Sequence, residues 1–258
     1  MCLILVAYRY HPKYHLVLAA NRDEFYSRPT EPAAFWQDQP NILAGKDLVA
    51  GGTWLGVTRA GRFAAITNYR DPALENSNRP SRGDVVSKYL AGTDNPAAYM
   101  DMMIEKRNTY NGFNLIVGDG HSLWHYSNIS GEAQCLSAGF YGVSNHLLDT
   151  PWPKVRRSKE HLARHLKADY IDKEKIFNTL HDNTPVSDKQ LPSTGVTLAW
   201  ERILSPIFVS SAEYGTRCST ILTIEHSGLV QLTERTYLPN KKQFIDSSYD
   251  FYTSSIQS

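Results

Sequence analysis

The chain has 258 residues, 41% of them hydrophobic, which is enough to bury a substantial core, and we read residues 1–258 as one domain. Its 27 Lys+Arg and 26 Asp+Glu leave a net charge of +1, so composition offers no electrostatic case for a nucleic-acid partner or an anionic membrane surface. Three cysteines, Cys2, Cys135 and Cys218, show no C-x-x-C spacing, so neither a disulfide framework nor a zinc ribbon is legible and a reducing compartment is expected.

The opening "MCLILVAYRY" lacks a basic n-region and a small-residue cleavage site, which predicts a buried strand over Cys2–Tyr8 rather than a signal peptide. A second branched-rich run, Leu16–Ala20, follows the polar "HPKYH" and completes a hairpin. From Arg28 to Asn41 the pattern is that of a long loop. "LVAGGTWLGVT" and "GRFAAITNY" then read as two strands meeting at Ala60-Gly61 and continuing the first sheet. Ser81 and Gly92 bracket one predicted helix, and Pro96 opens a second. "FNLIVGDGHSLWHYSN" and "EAQCLSAGFYGVSNH" carry the strands of a second sheet, "PKVRRSKEHLARHLK" and "DKEKIFNTLHDN" are amphipathic helices, and a hairpin around Ser227-Gly228 closes the pattern. The tail after Pro239 looks loosely ordered. No apolar stretch approaches the roughly 18 to 20 residues that span a bilayer, so no stable membrane insertion, a cytoplasmic location and a small-molecule partner are expected.

The chemistry-bearing stretch is Asn21-Arg22-Asp23-Glu24. Hairpin strands run antiparallel, so the end of the second strand returns to the start of the first and brings Arg22 near Cys2. Glu24 is expected to pair with a surface cation, and Cys135 and Cys218 to be buried and inert, so that Cys2 should alkylate fastest of the three. His161 and His165 lie four apart but sit among Arg156, Arg157, Lys159 and Lys167, the pattern of a solvated basic face; no metal site is predicted. A packing role stays open for each of these residues, Cys2 included.

The "MC" start, "ANRDEF", "GGTWLGV", "SNHLLDTPWPKV" and "YGTRCSTIL" together resemble the NRDE family, which includes the transport-and-Golgi-organisation protein 2 homologues. More distantly the layout is similar to the N-terminal-nucleophile hydrolases, among them penicillin V acylase and bile salt hydrolase. That resemblance implies an α+β fold, a four-layer αββα sandwich, and an amidohydrolase whose nucleophile is Cys2, exposed by removal of Met1. It further implies that Arg22 and Asp23 attend the cysteine and that Asn145, with Asn68 as a second such site, serves the oxyanion; Asn68, Asn21 and Arg217 are also expected among the substrate contacts. A thiol needs help to ionise at neutral pH, and the α-amine of a first-residue cysteine, titrating near 7.7 to 8.0, is a usable base. No cofactor is required by this reading. The family also suggests an alternative, a non-catalytic carrier of haem, acyl-CoA or lipid, in which any haem is noncovalent because no C-x-x-C-H signal is present.

Overall fold

The computed structural model describes residues 2–238 and 243–253; Met1, and with it the expected processing, lies outside the described residues. Two sheets pack face to face. One has the order β10-β1-β2-β11-β12-β13, built from β1 (Cys2–Tyr8), β2 (Tyr14–Phe25), β10 (Gly139–Val143), β11 (Tyr214–Glu225), β12 (Leu229–Tyr237) and β13 (Phe244–Tyr252). The other runs β3-β4-β5-β6-β7-β8-β9, with β3 (Thr30–Phe35), β4 (Ile42–Asp47), β5 (Leu55–Thr58), β6 (Phe63–Asn68), β7 (Phe113–Gly118), β8 (Leu123–Ser127) and β9 (Glu132–Cys135). All pairings are antiparallel.

Strand alternation divides the core into three layers. Ile4, Val6, Leu18 and Ala20 from one sheet meet Val57, Ala65 and Ile116 from the other, filling the space between the sheets. The opposite face of β1, Leu3 and Leu5, packs under α3 (Pro153–His165) and α4 (Lys173–Leu180) through Val155, Leu162 and Phe177. On the far side, Ile66, Leu115 and Val117 are covered by α1 (Gly83–Ala91) and α2 (Pro96–Glu105) through Val86, Tyr89 and Met100. The result is helix, sheet, sheet, helix, the αββα sandwich expected. A short helix α5 (Leu198–Leu204), capped by the Thr197 hydroxyl on Trp200 N–H, was not legible in the sequence.

Four assignments change. The stretch 28–41 is not all loop, since β3 occupies Thr30–Phe35; the strand expected over 48–58 is confined to Leu55–Thr58, and Gly51 turns at φ 74° before it. The hairpin β1–β2 does not continue into β5 and β6: β3 to β9 form a separate sheet, and β10 to β13 complete the first. The tail is an ordered edge strand over Phe244–Tyr252, because Tyr249 and Phe251 pack on Phe35 and Arg235 joins Asp246 to Glu174 of α4. Its Asp and Ser content gives weak strand propensity, so packing rather than composition fixes it. Residues 239–242 and 254–258 of that tail lie outside the described residues.

His125 of β8 sets an acid limit on the fold. It is buried, its Nε2 has no hydrogen-bond partner among the described residues, and burial lowers its pKa to about 4, with Asp149 opposing. The native state therefore holds it neutral while an unfolded chain protonates it near 6.5, so its contribution is present above that pH and is lost as pH falls towards 4. Thermal melts should show this loss, roughly 3 kcal/mol over that window, in the native chain and much less of it in His125→Phe.

Candidate active site

Antiparallel register builds the site. Cys2 is directly opposite Arg22, and Cys218 of β11 opposes Arg22 from the other side. Opposed residues share a sheet face, so Cys2, Arg22 and Cys218 stand in a row across three strands, on the face turned to the second sheet. A cleft of about 220 Å³ opens over this row, and Asp23, Glu24, Asn68 and Arg217 also line it. Across the cleft, the loop before β5 runs against the start of α1, where a Cβ on Gly52 would meet the Gly83 carbonyl carbon at 2.6 Å; glycine there allows the two backbones to touch.

Burial pushes the Cys2 thiol above its ordinary value and the Asp23 charge adds to this, while Arg22 and a hydrogen bond from the Asp23 backbone N–H pull it back. Asp23 is buried; its Oδ1 accepts from Thr216 Oγ1 at 2.7 Å, and its carbonyl accepts from the Tyr214 hydroxyl at 2.9 Å. Burial raises its carboxyl too, opposed by Lys154, the Thr216 hydroxyl and Arg70. Arg22 is nine-tenths buried, with Nη2 3.9 Å from Glu24 and 4.0 Å from Asp47, beyond hydrogen-bond range. Glu24 thus faces the cleft beside Arg22, not a surface cation.

Of the two asparagines expected at the oxyanion, only Asn68 lines the cleft. Asn145 is fully buried and does not line the cleft: its Nδ2 donates to the Asn68 carbonyl at 2.9 Å, and its Oδ1 accepts from the Ser144 hydroxyl at 3.2 Å. Asn68 does line the cleft, and its side-chain amide makes no hydrogen bond among the described residues. Asn21 points to the helical side instead of the cleft, where it donates to the carbonyls of Leu180 and Ile207 and accepts from the Ser219 hydroxyl, a set that leaves nothing for a substrate. Arg217 occupies a bulge between Thr216 and Cys218 and reaches the cleft wall, with Nη1 on the carbonyls of Phe25 and Arg28.

Several residues of the site carry no sequence signal. Cys218 is a cleft residue hydrogen-bonded to Glu234; burial first and that carboxyl second push its thiol well up. Glu234 is itself raised by burial, although it accepts from Ala33 N–H at 2.8 Å and thereby ties β12 to β3. Behind Cys2 lies Lys154, buried at the start of α3 with Nζ on the Leu204 carbonyl at 3.2 Å. Burial lowers its pKa to about 8 against the charges of Asp23 and Cys2. Arg70 and Glu201 form a buried ion pair at 2.8 Å next to it. A lysine after a helix-opening proline reads as exposed in any sequence pattern.

A family model described as transport and Golgi organisation 2 matches residues 1–239. The chain belongs to this family. The mouse transport and Golgi organization 2 homolog is 34% identical over 99% of this chain and 100% of its own length, and the human homolog is 35% identical over 92% and 94%. Two solved structures of conjugated bile acid hydrolase from Clostridium perfringens superpose with TM-scores of 0.51 and 0.54 at 10% and 9% identity, covering 99% and 100% of this chain and 98% of each of theirs. They show that this member of the transport and Golgi organisation 2 family has the N-terminal-nucleophile-hydrolase fold. No helix of the described residues is long and apolar enough to cross a membrane.

The cleft of this family member is small and lacks imidazoles. None of the nine histidines lines it, and its two thiols are held protonated by burial. Its volume of about 220 Å³ is below the roughly 300 to 1,000 Å³ of sites for drug-sized ligands. His165 is engaged with the Thr179 hydroxyl at 3.1 Å, and no group of three metal-ligating side chains occurs among the described residues.

Exposure reverses one expectation about the thiols. Cys135 lies exposed on the edge strand β9, whereas Cys2 and Cys218 are buried. In timed iodoacetamide labelling read by peptide mass spectrometry, Cys135 should react first, Cys2 second and Cys218 last, because Arg22 and the Asp23 N–H favour the Cys2 thiolate while Glu234 disfavours that of Cys218. Cys218 labelling ahead of Cys2 would remove the case for activation at Cys2.

Proposed function

We propose that the chain is an N-terminal-cysteine amidohydrolase acting on a small acylated amine, with Cys2 as nucleophile after removal of Met1. The observation that carries this reading is the shared cleft: Cys2 opposes Arg22 in register, receives the Asp23 N–H, and faces an Asn68 amide whose donors are unspent.

Because burial keeps the thiol protonated, a base must take its proton as the sulfur attacks. The α-amine of a first-residue Cys2 is that base, and the Asp23 carboxylate stabilises the ammonium that forms. Attack by Sγ on the amide carbonyl gives a tetrahedral oxyanion, for which Asn68 Nδ2 is the donor; a well-placed donor is worth about 2.7 to 4 kcal/mol in such a hole. Collapse passes the proton to the leaving amine and leaves a thioester on Cys2; water then attacks the thioester, the α-amine takes its proton, and that proton passes to the departing Cys2 sulfur as the acid leaves, which restores the thiol and the free amine. Asn145 acts one step back, holding the Asn68 backbone.

Intact-mass measurement together with amine release from a panel of short acyl amides tests the reading. The expected result is a mass lacking Met1, amine release, and a transient mass gain of one acyl group on Cys2. Retained methionine, or no amine released from any amide, would count decisively against it.

A further inference from the structure

Arg22 has hydrogen-bond donors to spare, although Glu24 and Asp47 lie at ion-pair distance. Its five N–H donors make no hydrogen bond among the described residues, although the residue is nine-tenths buried and lines the cleft. The two carboxylates at ion-pair distance stop short of hydrogen-bonding it: Asp47 Oδ2 takes Arg28 Nε at 2.7 Å and its Oδ1 takes the Val49 and Ala50 N–H groups, while Glu24 Oε1 takes Phe25 N–H and its Oε2 stands 3.9 Å from Arg22 Nη2. Arg217 brings a second guanidinium that has no carboxylate within ion-pair distance among the described residues and is anchored only on carbonyls and, at 3.5 Å, the Thr30 hydroxyl. The two cations are close enough that the charge of Arg22, after burial, draws the Arg217 pKa down. Two like charges held together, one with its hydrogen-bonding fork empty, make an arrangement that a planar oxyanion completes: a carboxylate accepts two parallel N–H bonds from one guanidinium.

We infer that this cleft reads a carboxylate on its ligand through Arg22, with Arg217 beside it, so that the substrate class is an acylated amine bearing a carboxylate near the scissile amide. The turnover part of this inference rests on the hydrolase reading, whereas the carboxylate site does not. Cys2 and Arg22 are cross-strand neighbours, which keeps the anion within a few bonds of the carbonyl that Cys2 would attack.

The test is calorimetric titration of Cys2→Ala, which leaves the amide intact, with N-butanoylglycine and its neutral counterpart N-butanoylglycinamide. The acid should bind at least about tenfold tighter, as a charge-assisted pair requires, and this preference should vanish in Cys2→Ala/Arg22→Gln. Should that double variant fail to fold, salt decides on the Cys2→Ala protein alone: raising NaCl must weaken the acid and leave the amide unchanged. Equal affinities, a preference that survives Arg22→Gln, or an acid affinity indifferent to salt would overturn the inference. Turnover by the unsubstituted protein separates the two readings. Preferred binding of the acid without amine release from either ligand sinks the hydrolase and keeps the carboxylate site; equal binding with amine release from both does the reverse.

Discussion

Glu201→Ala is expected to destabilise the fold by roughly 3 to 5 kcal/mol, the cost of leaving one member of a buried ion pair without its partner. The side chains of Arg70 and Glu201 are 5% and 4% exposed, and Nη1 meets Oε2 at 2.8 Å. The other carboxylate oxygen, Oε1, takes the Thr194 N–H at 3.0 Å and its hydroxyl at 2.6 Å, so the same substitution also releases the loop before α5. The Arg70 guanidinium stacks 4.9 Å from the Trp152 ring centroid, which fixes where the stranded charge would remain. Urea unfolding of Glu201→Ala should show a lower midpoint with little change in slope, and Arg70→Met/Glu201→Leu should recover most of the loss because no buried charge is then left unpaired. If the single and double variants lose the same stability, the pair is not what holds this corner. The corner matters to the cleft: Arg70 Nη2 lies 3.4 Å from Asn145 Oδ1, and Asn145 in turn holds the Asn68 carbonyl.

That chain of contacts marks the boundary between what the sequence discloses and what it does not. The approach of Arg22 to Cys2 is legible because a single hairpin decides it, and two branched-rich runs with a polar connection specify the hairpin. Four-layer stacking is legible from the order of strand and helix patterns together with the family resemblance. Sheet membership is not, since alternation says which face of a strand is apolar and nothing about which sheet it joins; β10 leaves its sequence neighbours to pair with β1 for this reason. Cys218, Glu234 and Lys154 reach the site from more than a hundred residues away, and their patterns, a strand cysteine, a strand glutamate and a helix lysine, are ordinary. The two asparagines show the limit most sharply. Both sit in similar short motifs, and only the hydrogen bond from Asn145 to the Asn68 backbone tells which amide is spent on structure.

Cys2→Ala should abolish amine release, by roughly 10⁴- to 10⁶-fold, while the protein keeps its fold. The first half follows from chemistry: without Sγ no thioester forms, and the remaining donors can only polarise an amide that nothing attacks. The second half follows from packing. Cys2 is a small side chain at the first position of β1; its carbonyl accepts the Ser144 hydroxyl at 2.9 Å and its backbone opposes Arg22, and both survive the substitution. Loss of one buried sulfur should cost about 1 kcal/mol, visible as a small shift in melting temperature. Cys2→Ser gives the sharper comparison, because a hydroxyl in the same place keeps the size and the hydrogen-bonding but is a far weaker nucleophile unless its base is equally well placed. Release rates falling from Cys to Ser to Ala, with all three chains lacking Met1 by mass, are the expected pattern. Full release in Cys2→Ala would mean that the cleft hydrolyses through water alone, and the row of Cys2, Arg22 and Cys218 would then be a binding surface without a nucleophile.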